Sequence, residues 1–260
     1  MEQSCSSDAL LLKQIKHLQP GTSVATSPSL EGALTVSSVD NQNTYKAEKI
    51  EAVIFDFDGT LVDTMQSFAD TAADVMATRY GVQFDWARKR YLDTSGIPFF
   101  QQLEVIFPND QRNEDAASEF EQRKLDAFFD ESFPNDVVQA ITRLRELGYA
   151  VAISSNNFQE LIDQFVSRET LHFDAALGCR DNFFKGKDHF SHLQALLNLT
   201  AEQLLFVGDS LMDEVRAREN GVRFVGKTGT FDAQAFESAQ PGTRTVHSLS
   251  ELPALIPDLV

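Results

Sequence analysis

The chain has 260 residues, with 39 acidic side chains against 22 Lys and Arg and a formal net charge of −17. Such an acidic chain repels a phosphate backbone unless it hides a concentrated cationic patch, which excludes a general nucleic-acid binder. Its two cysteines, Cys5 and Cys179, are far apart and in no C-x-x-C spacing, which suits a reducing, cytoplasmic compartment. The longest early apolar run, residues 9–12, is too short for a signal-peptide core or a membrane span, so neither a targeting segment nor a membrane partner is expected.

In chain order, residues 1–48 read as a flexible leader: residues 21–45 are rich in Ser, Thr, Gly and Asn without a lasting period, and residues 8–18 could form one short amphipathic helix. Residues 52–55 then make a short apolar run of the kind buried on both faces of a parallel sheet. Residues 65–134 lack strand-like runs. Phe68, Ala72, Val75 and Met76 form a helical stripe closed by Gly81, and further helices are expected at residues 99–106 and 120–129. Apolar runs return at residues 149–153, 204–207 and 222–225. Each follows a helical pattern: Val137, Ile141 and Leu144 before Gly148, then Phe190, Leu193 and Leu197, then the helix after Met212 that Gly221 ends. Thr200 to Gln203 has capping-box spacing. The tail after Gly226 is weakly patterned, with one strand near Thr245 and a short helix near Leu252.

This alternation predicts an α/β fold: a doubly wound, Rossmann-like parallel sheet core from residues 49–64 and 135–260, with an all-helical cap inserted over residues 65–134. Such a cap would lie over the carboxyl ends of the strands, where open α/β sheets bind ligands.

The strongest chemical signal is Phe55-Asp56-Phe57-Asp58-Gly59-Thr60, at the end of the first buried run. Carboxylates at i and i+2 of an extended segment point to one side and can reach one reacting centre, and Gly59 permits the sharp turn that follows. The strand before it is too apolar to end in a merely solvated turn. Further strand ends carry Ser154-Ser155-Asn156 and Gly208-Asp209-Ser210-Leu211-Met212-Asp213, and Lys185 and Lys187 precede the helix before residues 204–207. Alone, a Ser-Ser-Asn turn is ordinary loop chemistry and most lysines are simply solvated.

Through these four ordered motifs, over residues 50–230, the chain resembles the haloacid-dehalogenase superfamily of phosphotransferases, with a phosphoglycolate-phosphatase-like organisation. The resemblance implies that Asp56 attacks phosphorus to form an aspartyl-phosphate, and that Asp58 protonates the leaving oxygen and then activates water. A carboxylate is nucleophilic at neutral pH without an activating base, which agrees with that role. The resemblance also places Gly59, Thr60, a serine and Asn156 at the phosphoryl group. Alignment on Asn156 favours Ser155 over Ser154. Lys185 and Lys187 both qualify as the balancing ammonium, with spacing to the Phe190 stripe favouring Lys187. Asp209 and Asp213 resemble the family's metal-binding acids, and Asp56, the Asp58 carbonyl and Asp209, with Asp213 direct or through water, make a hard oxygen set suited to Mg²⁺. Zinc is not expected, since His189 and His192 stand at helical spacing with no Cys or third His near, and read as helix-surface residues.

A Mg²⁺-dependent phosphatase of a small phosphorylated metabolite is therefore the expected function. The resemblance implies that dehalogenases of the superfamily lack an acid at the place of Asp58, and that its sugar-phosphate mutases usually show a His and a Lys soon after the first motif, where residues 64–69 have neither. Phosphonatases bring a cap lysine near the first motif, and none occurs between Asp58 and Thr78. The alternatives are such a mutase or a non-catalytic binding protein on the same fold; a phospho-acceptor receiver module would need no lid. Substrate choice is expected from the cap, through residues 94–100, whereas Arg88-Lys89-Arg90 reads as a solvated helix face.

Overall fold

The computed structural model describes residues 49–128 and 131–259; the leader expected over residues 1–48, together with Cys5, lies outside the described residues. The first apolar run forms strand β1, Ala52–Phe55, with all four residues buried. Strands β2 (Ala150–Phe158), β3 (Ala175–Cys179), β4 (Leu204–Gly208), β5 (Arg223–Lys227) and β6 (Arg244–Val246) complete one parallel sheet in the order β3-β2-β1-β4-β5-β6. This is the expected doubly wound, Rossmann-like core. The order reverses between β1 and β4, where such sheets place ligands.

Alternation along the strands divides the apolar residues between two layers. Val53 and Phe55 of β1 and Leu205 and Val207 of β4 pack on one face, and Ala52, Ile54, Leu204 and Phe206 on the other. The first face is covered by α5 (Asn135–Glu146), α6 (Gln159–Arg168) and the short C-terminal α10 (Leu252–Leu255). The second is covered by α7 (Lys187–Leu197) and α8 (Leu211–Glu219). Val137, Ile141 and Leu144, the stripe read from sequence, are the buried face of α5. A short helix, α9 (Ala233–Ala239), stands between β5 and β6.

Between β1 and α5 the described chain makes four helices: α1 (Met65–Tyr80), α2 (Phe84–Asp93), α3 (Phe99–Ile106) and α4 (Asn113–Phe128). Their buried side chains, among them Phe68, Ala72, Met76, Tyr91, Phe99, Leu103 and Phe120, form a separate cluster. Gly81 closes α1 at φ 71°, its N–H reaching the Ala77 carbonyl at 3.0 Å, a left-handed cap that glycine adopts without a Cβ penalty. The insertion exits through Phe128, which stacks on Phe57 at 5.6 Å within the sheet's own core.

Candidate active site

Asp56 follows directly on β1, and its N–H donates to the Val207 carbonyl of β4 at 2.8 Å, so the ends of the two central strands are tied together. Phe57 turns the opposite way, into the core against Phe128 and Phe165, which leaves Asp56 and Asp58 on the same side. Gly59 has φ 78°, and a Cβ there would lie 2.1 Å from Asp209 Oδ2, so only glycine lets this turn pass the β4 acid. Asp209 leaves β4 just before α8. Ser210 caps that helix, accepting the Asp213 N–H at 3.1 Å, and so aims Asp213 back at the strand ends.

One carboxylate oxygen from each of Asp56, Asp209 and Asp213 lies within 4.8 Å of the others, and all three residues are buried. Burial pushes the Asp56 carboxyl up to about 6, against the pull of Lys185 and with repulsion from Asp213 and Asp58. Burial also raises Asp209 well above the ordinary range, with the charges of Asp56 and Asp213 adding to it. Asp213 resists the same burial because Lys185 and Arg216 offset it, holding it below the usual carboxylate range. Its Oδ2 has no hydrogen-bond partner among the described residues, as suits an oxygen available to a further ligand.

Lys185 supplies the cation. Its Nζ stands 2.7 Å from Asp56 Oδ1 and 2.7 Å from Asp213 Oδ1. The spacing argument favoured Lys187, and here the structure corrects it: Lys187 is the exposed first residue of α7 and forms no ion pair with the acids among the described residues. Gly186, at φ 110°, breaks the chain direction between the two, so the lysine before the turn faces inward and the one after it faces water.

Asp58 is held at both oxygens, by Thr64 Oγ1 at 2.9 Å and by Asn157 Nδ2 at 2.9 Å. Lys124 of α4 donates to Asn157 Oδ1 at 2.8 Å and stands 3.8 Å from Asp58 Oδ2. A lysine from the helical insertion thus does reach the first motif, although none lies within residues 58–78. Asn156 lines the cavity beside these groups. Ser155 is buried with its Oγ accepting the Asn157 N–H at 3.0 Å, and Ser154 Oγ pairs with His189 Nδ1 at 2.8 Å. Thr60 is buried without a partner for its hydroxyl among the described residues, while the Gly59 carbonyl accepts from Lys227 at 2.9 Å. The expectation that His189 sits on the helix surface is wrong: it is fully buried, on the face of α7 that meets β2. His192 is exposed, as expected.

The cavity over these groups has a volume of about 180 Å³. The strand-end acids floor it, and Tyr91, Ser95, Ile97, Phe99, Phe120 and Glu121 of the insertion wall it. Of the expected span 94–100, residues 95–99 line the site, with Phe99 also packed on Tyr91 and Phe120. Arg88, Lys89 and Arg90 pair with Asp70 and Asp93 on the helix surface. Sequence reasoning missed Lys124, Asn157 and Arg216, which holds Asp213 at 3.3 Å and the Gly96 carbonyl at 3.0 Å. Only Asn157 left a local signal, two residues beyond Ser155 on the same side of a strand. The other two act across distances that no spacing reveals.

Residues 53–227 match the family model described as haloacid dehalogenase-like hydrolase. A phosphoglycolate phosphatase of Mesorhizobium japonicum is 29% identical over 190 residues, spanning 66% of this chain and 80% of that one. The pyrophosphatase PpaX of Bacillus thuringiensis is 24% identical over 218 residues, spanning 81% and 98%. Among solved structures, a haloacid dehalogenase-like family hydrolase from Streptococcus pneumoniae superposes with a TM-score of 0.65 at 22% identity, covering 79% of this chain and 97% of that one, a likeness of fold. With two thirds of its length matched by the family model and its strand-end acids gathered at the reversal of the sheet, the chain belongs to the haloacid dehalogenase-like hydrolase family and groups with its phosphatases.

Proposed function

We propose that the chain is a Mg²⁺-dependent phosphatase of small phosphomonoesters, working through an aspartyl-phosphate on Asp56. The observation that carries this reading is the placement of Asp56 and Asp58 on one side of the β1 turn, at the floor of a cavity roofed by the helical insertion. In this reading residues 49–64 and 135–260 are the catalytic core and residues 65–134 the cap.

Asp56 Oδ1 is held by Lys185, so Oδ2 is the oxygen free to attack phosphorus. As that P–O bond forms, the bond to the leaving oxygen breaks, and Asp58 delivers a proton to that oxygen. Asp58 then takes a proton from the water that attacks the phosphoryl group, releasing phosphate and regenerating Asp56. Asn157 and Thr64 fix the Asp58 carboxyl for both transfers. Lys185 balances charge beside the phosphoryl oxygens, the role the spacing argument gave to Lys187. Ser155 and Asn156, with the backbone at Gly59 and Thr60, cradle the phosphoryl group.

Three buried carboxylates around one lysine, with the partnerless Asp213 Oδ2 among them, fit a magnesium ion held by Asp56, Asp209 and Asp213 together with the Asp58 carbonyl. When bound, the ion supplies positive charge that offsets these acids and polarises the phosphoryl oxygens. The relatives' printed activities, phosphoglycolate phosphatase in one and pyrophosphatase in the other, support the reaction class rather than one substrate.

The test is a rate panel of p-nitrophenyl phosphate and metabolite monoesters with Mg²⁺ or excess chelator. Wild type is expected to turn over only with Mg²⁺, and Asp56→Asn to lose turnover altogether. Activity that survives complete chelation would refute the metal assignment, and an active Asp56→Asn the nucleophile.

A further inference from the structure

One acid on the cap wall has no place in that chemistry. Glu121 of α4 lines the cavity, is only 7% exposed, and has no ion pair or hydrogen bond among the described residues. Lys124, one turn along the same helix, does not neutralise it at contact distance, because its ammonium is engaged by Asn157 and Asp58. Of the other cations lining the cavity, Lys185 is held by Asp56 and Asp213, and Arg180, directly after β3, is exposed and lays its guanidinium over the Phe183 ring at 4.3 Å. An unpaired carboxylate in so enclosed a place is costly unless a ligand pairs with it. Burial accordingly pushes the Glu121 carboxyl above its ordinary range, against the pull of Lys124.

Its neighbours are aromatic. Tyr91, Phe99 and Phe120 line the same wall with ring centroids 4.3 to 5.8 Å apart. The Tyr91 hydroxyl, buried and without a hydrogen bond among the described residues, lies within the fields of Asp58, Glu121 and Asp209. A carboxylate beside aromatic rings suits a compact cation better than a neutral hydroxyl, since the ring quadrupoles and the carboxylate act on it together. A carboxylate at the same point would meet like charge in a desolvated space.

We infer that Glu121 and this aromatic wall select the alcohol half of the substrate by charge, so that the preferred substrates are aminoalkyl phosphate monoesters. The inference rests on the phosphatase reading above and adds the substrate class to it. A leaving group carrying a primary ammonium enters the Glu121 end of the cavity while its phosphoryl group meets Asp56; a carboxylate-bearing leaving group of equal length is rejected.

The test uses three monoesters of the same length: O-phosphoethanolamine, ethylene glycol monophosphate and 2-phosphoglycolate. Wild type should rank them ammonium, hydroxyl, carboxylate in kcat/KM, with about ten-fold or more between first and last, as for one charge pair of modest strength. Glu121→Gln should compress that ratio to within about three-fold, and Glu121→Asp, which keeps the charge, should preserve the order. A wild-type preference for the carboxylate, or a ratio that Glu121→Gln leaves unmoved, overturns the inference. If no monoester is turned over, the phosphatase reading fails separately, and calorimetric binding of O-phosphoethanolamine against 2-phosphoglycolate decides this one: tighter binding of the amine upholds it, equal or reversed affinity overturns it.

Discussion

Lys185 carries its ammonium into a gap between two buried carboxylates, whereas Lys187, two residues on, carries its own into water. The difference is energetic as well as chemical. Removing Lys185 leaves Asp56 and Asp213 without their shared partner in a buried site, a loss of about 3 to 5 kcal/mol by comparison with other broken buried pairs. Lys185→Met should therefore abolish turnover and lower the urea midpoint. Lys187→Met should stay within about 0.5 kcal/mol of wild type in stability and keep its turnover. Steady-state rates and urea unfolding of the two variants check this, and comparable losses in both would return the role to the helix lysine. Sequence alone identified the pair and left the choice to spacing, because what separates them is one backbone turn at Gly186 rather than any difference in side chain. The acids were more legible. Asp56 and Asp209 follow directly on the apolar runs of β1 and β4, with Asp58 two residues after the first and Asp213 in the first turn of the helix after the second.

Among the elements, those whose own composition declares them were readable: the apolar runs of β1 and β4, the stripe of α1, and the capping box at Thr200 that closes the turn before β4. Those that borrow stability from neighbours were not. β3 is Ala-Ala-Leu-Gly-Cys, without a β-branched residue, and is a strand because β2 pairs with it. The helix α2 buries only Ala87 and Tyr91, one turn apart, too narrow a stripe to read. The α7 stripe was legible, but not that His189 joins its buried face and pairs with Ser154 of β2. Burial, with Lys185 adding, lowers that imidazole to about 3. The unfolded chain takes up this proton near pH 6.5 and the native chain only near pH 3. Stability from this group is thus whole above about pH 6.5 and lost as pH falls toward 3, at up to about 1.4 kcal/mol per pH unit. Urea unfolding from pH 7 to 4 should show a shallower acid loss in His189→Gln than in wild type. Identical slopes would mean that the imidazole is not held neutral between α7 and β2.

At the scale of the whole molecule, a chain of net charge −17 must admit a substrate that is itself an anion. The field of the surface opposes encounter at long range, while the cations that favour binding, Lys185 and Lys124, are inside the cavity. Raising NaCl from about 10 to about 150 mM shortens the screening length from roughly 30 to 8 Å, so at fixed Mg²⁺ the kcat/KM for p-nitrophenyl phosphate should rise. A fall would mean that the cavity mouth attracts more than the rest of the surface repels. No helix among the described residues is long and apolar enough to cross a membrane. Apart from Phe128 and Phe133 at its exit, which join the core on one face of the sheet, the helical insertion keeps its buried apolar side chains in a cluster of its own. Drift in one is therefore tolerated by the other. A lineage can try new cavity walls, at positions such as Gln101 and Glu121 that face the ligand without anchoring that cluster, while it inherits the strand-end acids intact. Diversification of the substrates such a chain accepts then proceeds by rewriting its lid, one exposed-to-ligand position at a time, at little risk to the chemistry beneath.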